Sequence, residues 1–414
     1  MRRYRGVLLV LLLFLIMPVI AEAELFERRK EQFPEEYSYL VLPLPYNLPG
    51  IGGGWFVPLY FSNFFNTYTD AYLLLITGDV NGTISSVEDF HLLSKRLIAR
   101  VFHLDISKAT YQNYTLRGMG TGKKDYQTIE LSQIRITESE LLLTFMERRF
   151  EGYVRAMTQE TKAKAIRNPD GEVIARFAEP VEQSFNRSTG GLLFDITDDR
   201  QDPRKGVRVR SEYYSVPRHT RDEPEYSVMT WRLTGYVPVG KLSTLALHAF
   251  RSDANVHSPG ELNPAVLAAR TGINCYGNPA CQAAVDVEVN NTLRRNQNGS
   301  AVPLGGERLL RGYPDARFQG GHSLYYGAEL RLNLTEEFTP FDYFIWRDSR
   351  TGVQVTLFYE QGSVSETAAT LGRDWRDDAG AGLRMITGSG AVYRFDYAVG
   401  GEGAQTTITA SYPF

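Results

Sequence analysis

The stretch Pro303-Leu-Gly-Gly-Glu-Arg-Leu-Leu-Arg-Gly-Tyr-Pro-Asp-Ala-Arg-Phe318 lies between strand-like segments and has the composition of a loop that turns back on itself. Gly305, Gly306 and Gly312 allow backbone angles that a Cβ resists, which would carry Arg311 to the tip. Directly after it, residues 324–334 alternate with period two, placing Leu330, Leu332 and Leu334 on one face and Glu329, Arg331 and Asn333 on the other. A second such strand over 353–362 sets Val353, Val355, Leu357 and Tyr359 against Gln354, Thr356 and Glu360. One face of each strand suits lipid and the other suits water. A guanidinium at a loop tip and two carboxylates on the wet faces suggest a lock between the loop and a wall of strands.

The ordered pieces Leu310-Arg-Gly-Tyr313, Glu329-Leu-Arg331, Phe358-Tyr-Glu-Gln-Gly-Ser-Val364 and Arg394-Phe-Asp-Tyr-Ala398 resemble the BamA/TamA-like superfamily of outer-membrane protein insertases and translocases, also called the bacterial surface antigen family. The resemblance covers residues 185–414. It implies an all-β fold, a transmembrane antiparallel barrel of 16 strands, with a long extracellular loop folded into the lumen. It also implies that Arg311, flanked by Gly312 and Tyr313, meets the carboxylates of Glu329 and Glu360, with Gly362 part of the third signature. A planar guanidinium pairs bidentately with carboxylate and so sets direction as well as position. The partners implied are outer-membrane lipid, β-barrel or secreted client proteins, and a periplasmic partner. The better-known family members carry POTRA domains before the barrel, and residues 24–49 are too few for one.

Independently of the resemblance, Met1-Arg-Arg-Tyr-Arg5, an apolar run and Ala21-Glu22-Ala23 read as a secretory signal over 1–23. Residues 24–49, with prolines at 43, 45 and 49, read as a short periplasmic lead-in, and 50–414 as the barrel. Later apolar runs such as Ala71-Tyr-Leu-Leu-Leu-Ile-Thr77 are too short for a spanning helix. A membrane-crossing chain must then be a closed barrel, which alone pairs every backbone group without water. The 37 glycines, 24 tyrosines and 22 phenylalanines suit short strands with aromatic girdles, although a soluble β-sandwich shares that composition. A net charge of −3, spread along the chain, gives no argument for nucleic acid.

Along the barrel, Trp55, Phe56, Tyr60 and Phe61 are candidates for a membrane interface. Asn81-Gly82 is a turn dipeptide or a bulge; if it and the region of Thr137 are turns the strands number 16, and otherwise 14. Gly118-Met-Gly-Thr-Gly-Lys-Lys124 lacks the Walker spacing and reads as a solvated loop. Asp198-Asp-Arg-Gln-Asp-Pro-Arg-Lys-Gly206 resembles the family's Asp-x-Arg-Asp-x-Pro periplasmic turn, which implies a wet turn, and 251–321 reads as an insertion too long to lack a task. Cys275 and Cys281, in an exported chain and with no histidine nearby, read as a disulfide in an extracellular loop rather than a metal site. At the end, Ile408, Ala410, Tyr412 and Phe414 share a face, the mark of a barrel's last strand, while Pro413 belongs where the ladder stops.

No Gly-x-Ser-x-Gly, His-Glu-x-x-His or Cys-x-x-Cys is present, Asp377-Asp378 read as loop charges, and Ser389 as a turn residue. The expectation is a barrel with no catalytic site, no cofactor and no metal, which assists insertion or translocation of proteins. The alternatives are a passive pore and a structural barrel that docks with a periplasmic partner.

Overall fold

The computed structural model describes residues 38–41, 43–93, 95–114, 116–218, 220–271, 276–277, 279–335, 340–343, 346–387, 392–410 and 412–414. Its strands are β1 (Ser38–Val41), β2 (Leu44–Leu48), β3 (Gly52–Phe64), β4 (Thr69–Gly78), β5 (Asn81–Leu93), β6 (Leu97–Tyr114), β7 (Tyr126–Phe145), β8 (Phe150–Arg167) and β9 (Val173–Thr197). They continue with β10 (Gly206–Val216), β11 (Glu225–Val239), β12 (Ser243–Ser258), β13 (His322–Asn333), β14 (Pro340–Tyr343), β15 (Trp346–Ser365), β16 (Arg376–Thr387), β17 (Val392–Gly400) and β18 (Gly403–Ala410). β1 and β2 both pair with β3, at residues 59–62 and 52–56, so they are two parts of one interrupted strand. β14 lies in the same way beside the long β15, beyond its pairing with β13. Counted around the ring, the result is a closed antiparallel barrel of 16 strands, with β18 returning to β2.

The count of 16 arises differently from the sequence expectation. The closing strand β2 lies within the stretch expected as a lead-in, so the barrel begins before Gly50. The turn between β4 and β5 is at Asp79-Val80, where Asn81 Oδ1 accepts the Gly78 N–H at 3.0 Å and Asn81-Gly82 already opens β5. Thr137 is no turn: it lies within β7, opposite His103 and Thr158.

Alternation sets the two faces. Leu73, Leu75, Val101, Leu141, Val154, Leu192, Trp231, Leu357, Leu383 and Phe395 are exposed on the outer surface, forming an apolar belt that asks for a hydrocarbon environment. Of the four aromatics expected at an interface, Trp55 is exposed on this face, whereas Phe56 is buried on the other. On β13 and β15 the polar set Glu329, Arg331, Gln354, Thr356 and Glu360 is buried instead, because the lumen beside it is filled.

What fills it is the insertion between β12 and β13. β12 runs on to Ser258, so the insertion starts later than Arg251. It opens with two helices, α1 (Pro264–Arg270) and α2 (Pro279–Asn298). Asn263 caps α1 by accepting the Ala265 N–H at 3.0 Å, and Pro264 stands at the first turn, where its missing donor costs nothing. Leu267, Val285 and Val289 give the helix pair a small core of its own. The chain then enters the lumen. Leu304 and Phe318 exchange two backbone hydrogen bonds of 2.9 Å and pinch the loop at its neck. Gly305 (φ 112°) and Gly306 (φ 107°) supply the left-handed turns beyond. Leu304, Leu309, Leu310, Tyr313 and Phe318 pack on Met119, Phe250, Tyr325 and Val364, each contributing roughly 1.5–3 kcal/mol relative to exposure.

The signal-like residues 1–23, Cys275, the side chain of Cys281 and the Gly388-Ser389-Gly390 turn lie outside the described residues. Among the described residues no helix is long and apolar enough to cross a membrane, which says nothing about crossing by strands.

Candidate functional site

The loop tip and the strand wall meet at Arg311, which is fully buried. Its backbone N–H donates to Glu360 Oε2 at 2.7 Å and its Nε to Glu360 Oε1 at 2.8 Å. Nη1 reaches Glu329 Oε2 at 3.1 Å and Asp396 Oδ2 at 2.9 Å. The guanidinium also lies 3.4 Å from the centre of the Phe358 ring, an arrangement favoured by the ring's negative face. Three strands, β13, β15 and β17, thus hold one side chain. The carboxylates have further donors: Arg331 Nε and Arg384 Nη1 reach Glu329 Oε1 at 2.8 and 2.6 Å, Arg394 Nη1 reaches Asp396 at 2.8 Å, and Tyr325 OH reaches Glu360 at 2.7 Å. Buried charges are tolerable when paired and hydrogen-bonded in this way; removing one partner of such a pair costs about 3–5 kcal/mol.

Gly312 and Gly362 are needed for space. A Cβ on Gly312 would stand 2.6 Å from Asp378 Cβ and 2.9 Å from Gly400 N. A Cβ on Gly362 would strike Leu304 Cδ1 at 2.6 Å and Leu310 Cδ1 at 2.8 Å. The left-handed backbone angle at the tip falls on Leu310 (φ 60°), a strained conformation for a side chain with a Cβ, and the buried packing around Leu310 holds it there. Tyr313 OH donates to the Asp377 carbonyl at 3.1 Å and accepts the Gly401 N–H at 3.0 Å.

Sequence reasoning missed several anchors. Asp378 is not a loop charge: it is a buried residue of β16 that accepts the Gly312 N–H at 2.8 Å. The glycine-rich segment after Arg117 is only in part a solvated loop: Gly120, Gly122, Lys123 and Lys124 are exposed, whereas Met119 is buried against the lumenal loop and Thr121 is held by Arg317. Arg117 donates to Glu366 at 2.8 and 2.9 Å, to Ser300 at 2.8 Å and to the Gly299 carbonyl at 2.6 Å. The fully buried Arg317 bridges Glu402 (2.9 and 2.6 Å) and Thr121 Oγ1 (2.6 Å). These partners are far apart in sequence, and no local pattern marks them.

The turn over 198–206 is drier than expected. Asp198 Oδ1 accepts the N–H groups of Arg204 and Lys205 at 2.8 and 2.9 Å, and Asp199 Oδ1 those of Gln201 and Asp202 at 2.7 and 2.8 Å. The acidic side chains therefore build the turn, as Asx motifs do. The C-terminus also departs from expectation. β18 ends at Ala410, and Tyr412 and Phe414 turn inward rather than extending a lipid face. Tyr412 OH donates to Asp202 at 2.6 Å, with the guanidinium of Arg331 4.2 Å from its ring, and Phe414 stacks on His248 at 4.7 Å. Pro413 has no N–H with which to prolong the ladder, and inner-face cations attract the rings.

One joint of the ring differs from the rest. Among the described residues, β18 pairs with β17 over eight residues but with β2 at a single position, Ile408 opposite Asn47. Side chains supplement it: Asn47 Nδ2 donates to the Thr406 carbonyl, and Tyr393 OH to the Pro45 carbonyl at 2.6 Å.

In shape the barrel is similar to the crystal structure of BamA from Haemophilus ducreyi lacking POTRA domains 1–3, with a TM-score of 0.50 and 12% identity, over 96% of this chain and 78% of that one. It is also similar to CdiB from Escherichia coli, with a TM-score of 0.51 and 12% identity, over 92% of this chain and 68% of that one. The fold is that of the BamA and CdiB barrels. No protein-family model and no curated protein matches the sequence.

Proposed function

We propose that this chain is an outer-membrane barrel of the BamA/TamA-like type that assists the insertion or translocation of proteins and has no catalytic chemistry of its own. The observation that carries this reading is the seam: among the described residues, β18 presents an edge whose backbone is held to β2 at one ladder position. An underpaired strand edge is a template on which an incoming strand adds by backbone hydrogen bonds. The BamA- and CdiB-like fold and the ordered sequence signatures around Arg311 support it. In this reading the anchored loop keeps the lumen filled and the wall next to the seam rigid while the edge opens towards lipid.

The test is client folding in proteoliposomes. A urea-unfolded outer-membrane barrel should fold faster with this protein present than in empty liposomes. Asn47→Cys with Ile408→Cys places two cysteines on directly opposed residues, whose spacing in an antiparallel pair suits a disulfide. Oxidation should abolish the acceleration and reduction should restore it. Steady ion conduction with no effect on client folding would instead make the chain a pore. Activity that appears only after adding a co-purified periplasmic protein would make it a docking barrel.

A further inference from the structure

The inner wall is not polar all round. On β3, β4 and β5 the side chains of Phe56, Pro58, Leu74, Ile76 and Ile84 face inward, and the ladder sets Phe56 opposite Ile76, Pro58 opposite Leu74, and Leu74 opposite Ile84. Their neighbours Trp55, Leu73 and Leu75 are exposed on the outer face. At this level β3 and β4 are therefore apolar on both sides, as the unbroken run Tyr72-Leu-Leu-Leu-Ile76 records, and β5 adds Ile84 to the inner face, whereas strands around a wet lumen alternate. Between this wall and the loop residues Glu307 and Asp315 lies a cavity of about 750 Å³. Its lining continues past the seam to Met385, Tyr393 and Ile408. Those three share a ladder face with the exposed Leu383 and Phe395, so they belong to the outer surface. The cavity joins the inside of the barrel to its hydrocarbon-facing exterior.

We propose that this cavity binds the acyl chain of a membrane lipid, admitted through the seam between β2 and β18. Its size and dominantly apolar lining are those of a ligand site, and an apolar cavity favours hydrocarbon over water. The β3–β5 wall of the cavity is already paired on both sides and offers no ladder to an incoming backbone, which could pair only at the β2 and β18 edges, whereas an alkyl chain needs none. The carboxylates of Glu307 and Asp315 border the inner side, so an anionic headgroup stays at the membrane surface and the chain enters by its methyl end. The inference does not depend on protein insertion.

The experiment uses the full chain in vesicles of phosphatidylethanolamine and phosphatidylglycerol, with a trace of phospholipid carrying a diazirine near the end of one acyl chain. After photolysis, peptide mapping should find label on inward Leu74, Ile76 or Ile84 as well as on outward Leu73 and Leu75. The oxidised Asn47→Cys/Ile408→Cys pair should lose the inner label and keep the outer, and reduction should restore it. Leu74→Gln with Ile84→Gln, checked for intact heat-dependent gel migration, should lose the inner label only. Label confined to outward residues overturns the proposal, whether water or the chain's own N-terminal segment fills the cavity. Inner label that survives the cross-link also overturns it, because the chain would then arrive from the lumen.

Discussion

Arg311 presents two donors to Glu360, its backbone N–H to one carboxylate oxygen and its Nε to the other, at 2.7 and 2.8 Å. One residue thereby fixes both where the loop backbone lies and which way its side chain points. Glu360 itself stands directly opposite Asp378 in the β15–β16 ladder, a like-charge arrangement that is unfavourable unless donors intervene. The Arg311 and Gly312 donors intervene there.

Arg311→Ala should leave a folded barrel in the membrane but loosen the loop, at a cost on the order of 3–5 kcal/mol for a buried pair broken on one side. Glu360→Ala should act likewise. The double variant should lose less than the sum of the two single losses, since both changes remove the shared Arg311 Nε–Glu360 pairing. Arg311→Lys should recover only part, because an ammonium cannot span Glu360, Glu329 and Asp396 in a fixed fork. Limited proteolysis of residues 299–321 and urea unfolding measure this; strictly additive losses would show that Arg311 and Glu360 act separately.

Gly312→Ala should be as damaging to loop docking as Arg311→Ala, because its Cβ meets Asp378 Cβ and the Gly400 backbone, neither of which can move freely. Gly190→Ala is the matched control: its Cβ would meet nothing within 4 Å, so stability should change by less than about 0.5 kcal/mol. Equal protease resistance of the two variants would refute the space argument.

Arg117→Ala should open the neck of the loop rather than its tip. Losing the contacts to Glu366, Ser300 and Gly299 should raise cleavage near residues 299–303 while the Arg311 pairings stay in place. Having no partner in common with Arg311, it should combine additively with Arg311→Ala. Cleavage that shifts to the tip would mean the two ends are coupled.

The barrel itself should show as different gel migration of boiled and unboiled protein in SDS, with a strand-dominated circular dichroism spectrum. A helix-rich soluble product would contradict the membrane reading of the outer apolar belt.

The strands that carry the lock were legible because hydrocarbon lies on one side and a filled lumen on the other, and residues 329–334 alternate strictly while 353–360 do so except at the inward Phe358. Asp378 was not legible: it precedes Ala379-Gly-Ala-Gly382, where small residues on both faces erase the alternation. β2 was hidden by Pro43 and Pro45, which suggest an irregular segment. Proline is tolerated on an edge strand, and β2 behaves as one towards β18. β4 gave the opposite difficulty. Its unbroken apolar run shows a strand but not why both faces avoid water, and only the cavity supplies the reason. The anchors at Arg117 and Arg317 join residues between 85 and 249 positions apart, separations at which no local periodicity operates.

A closed ring under lateral pressure is a set of joints in series, and every joint carries the same load. With β2 and β18 meeting at one ladder position, stretching of the surrounding bilayer is taken up at that joint while the others stay shut. The joint expected to open first under such a load is thus set by the ladder itself.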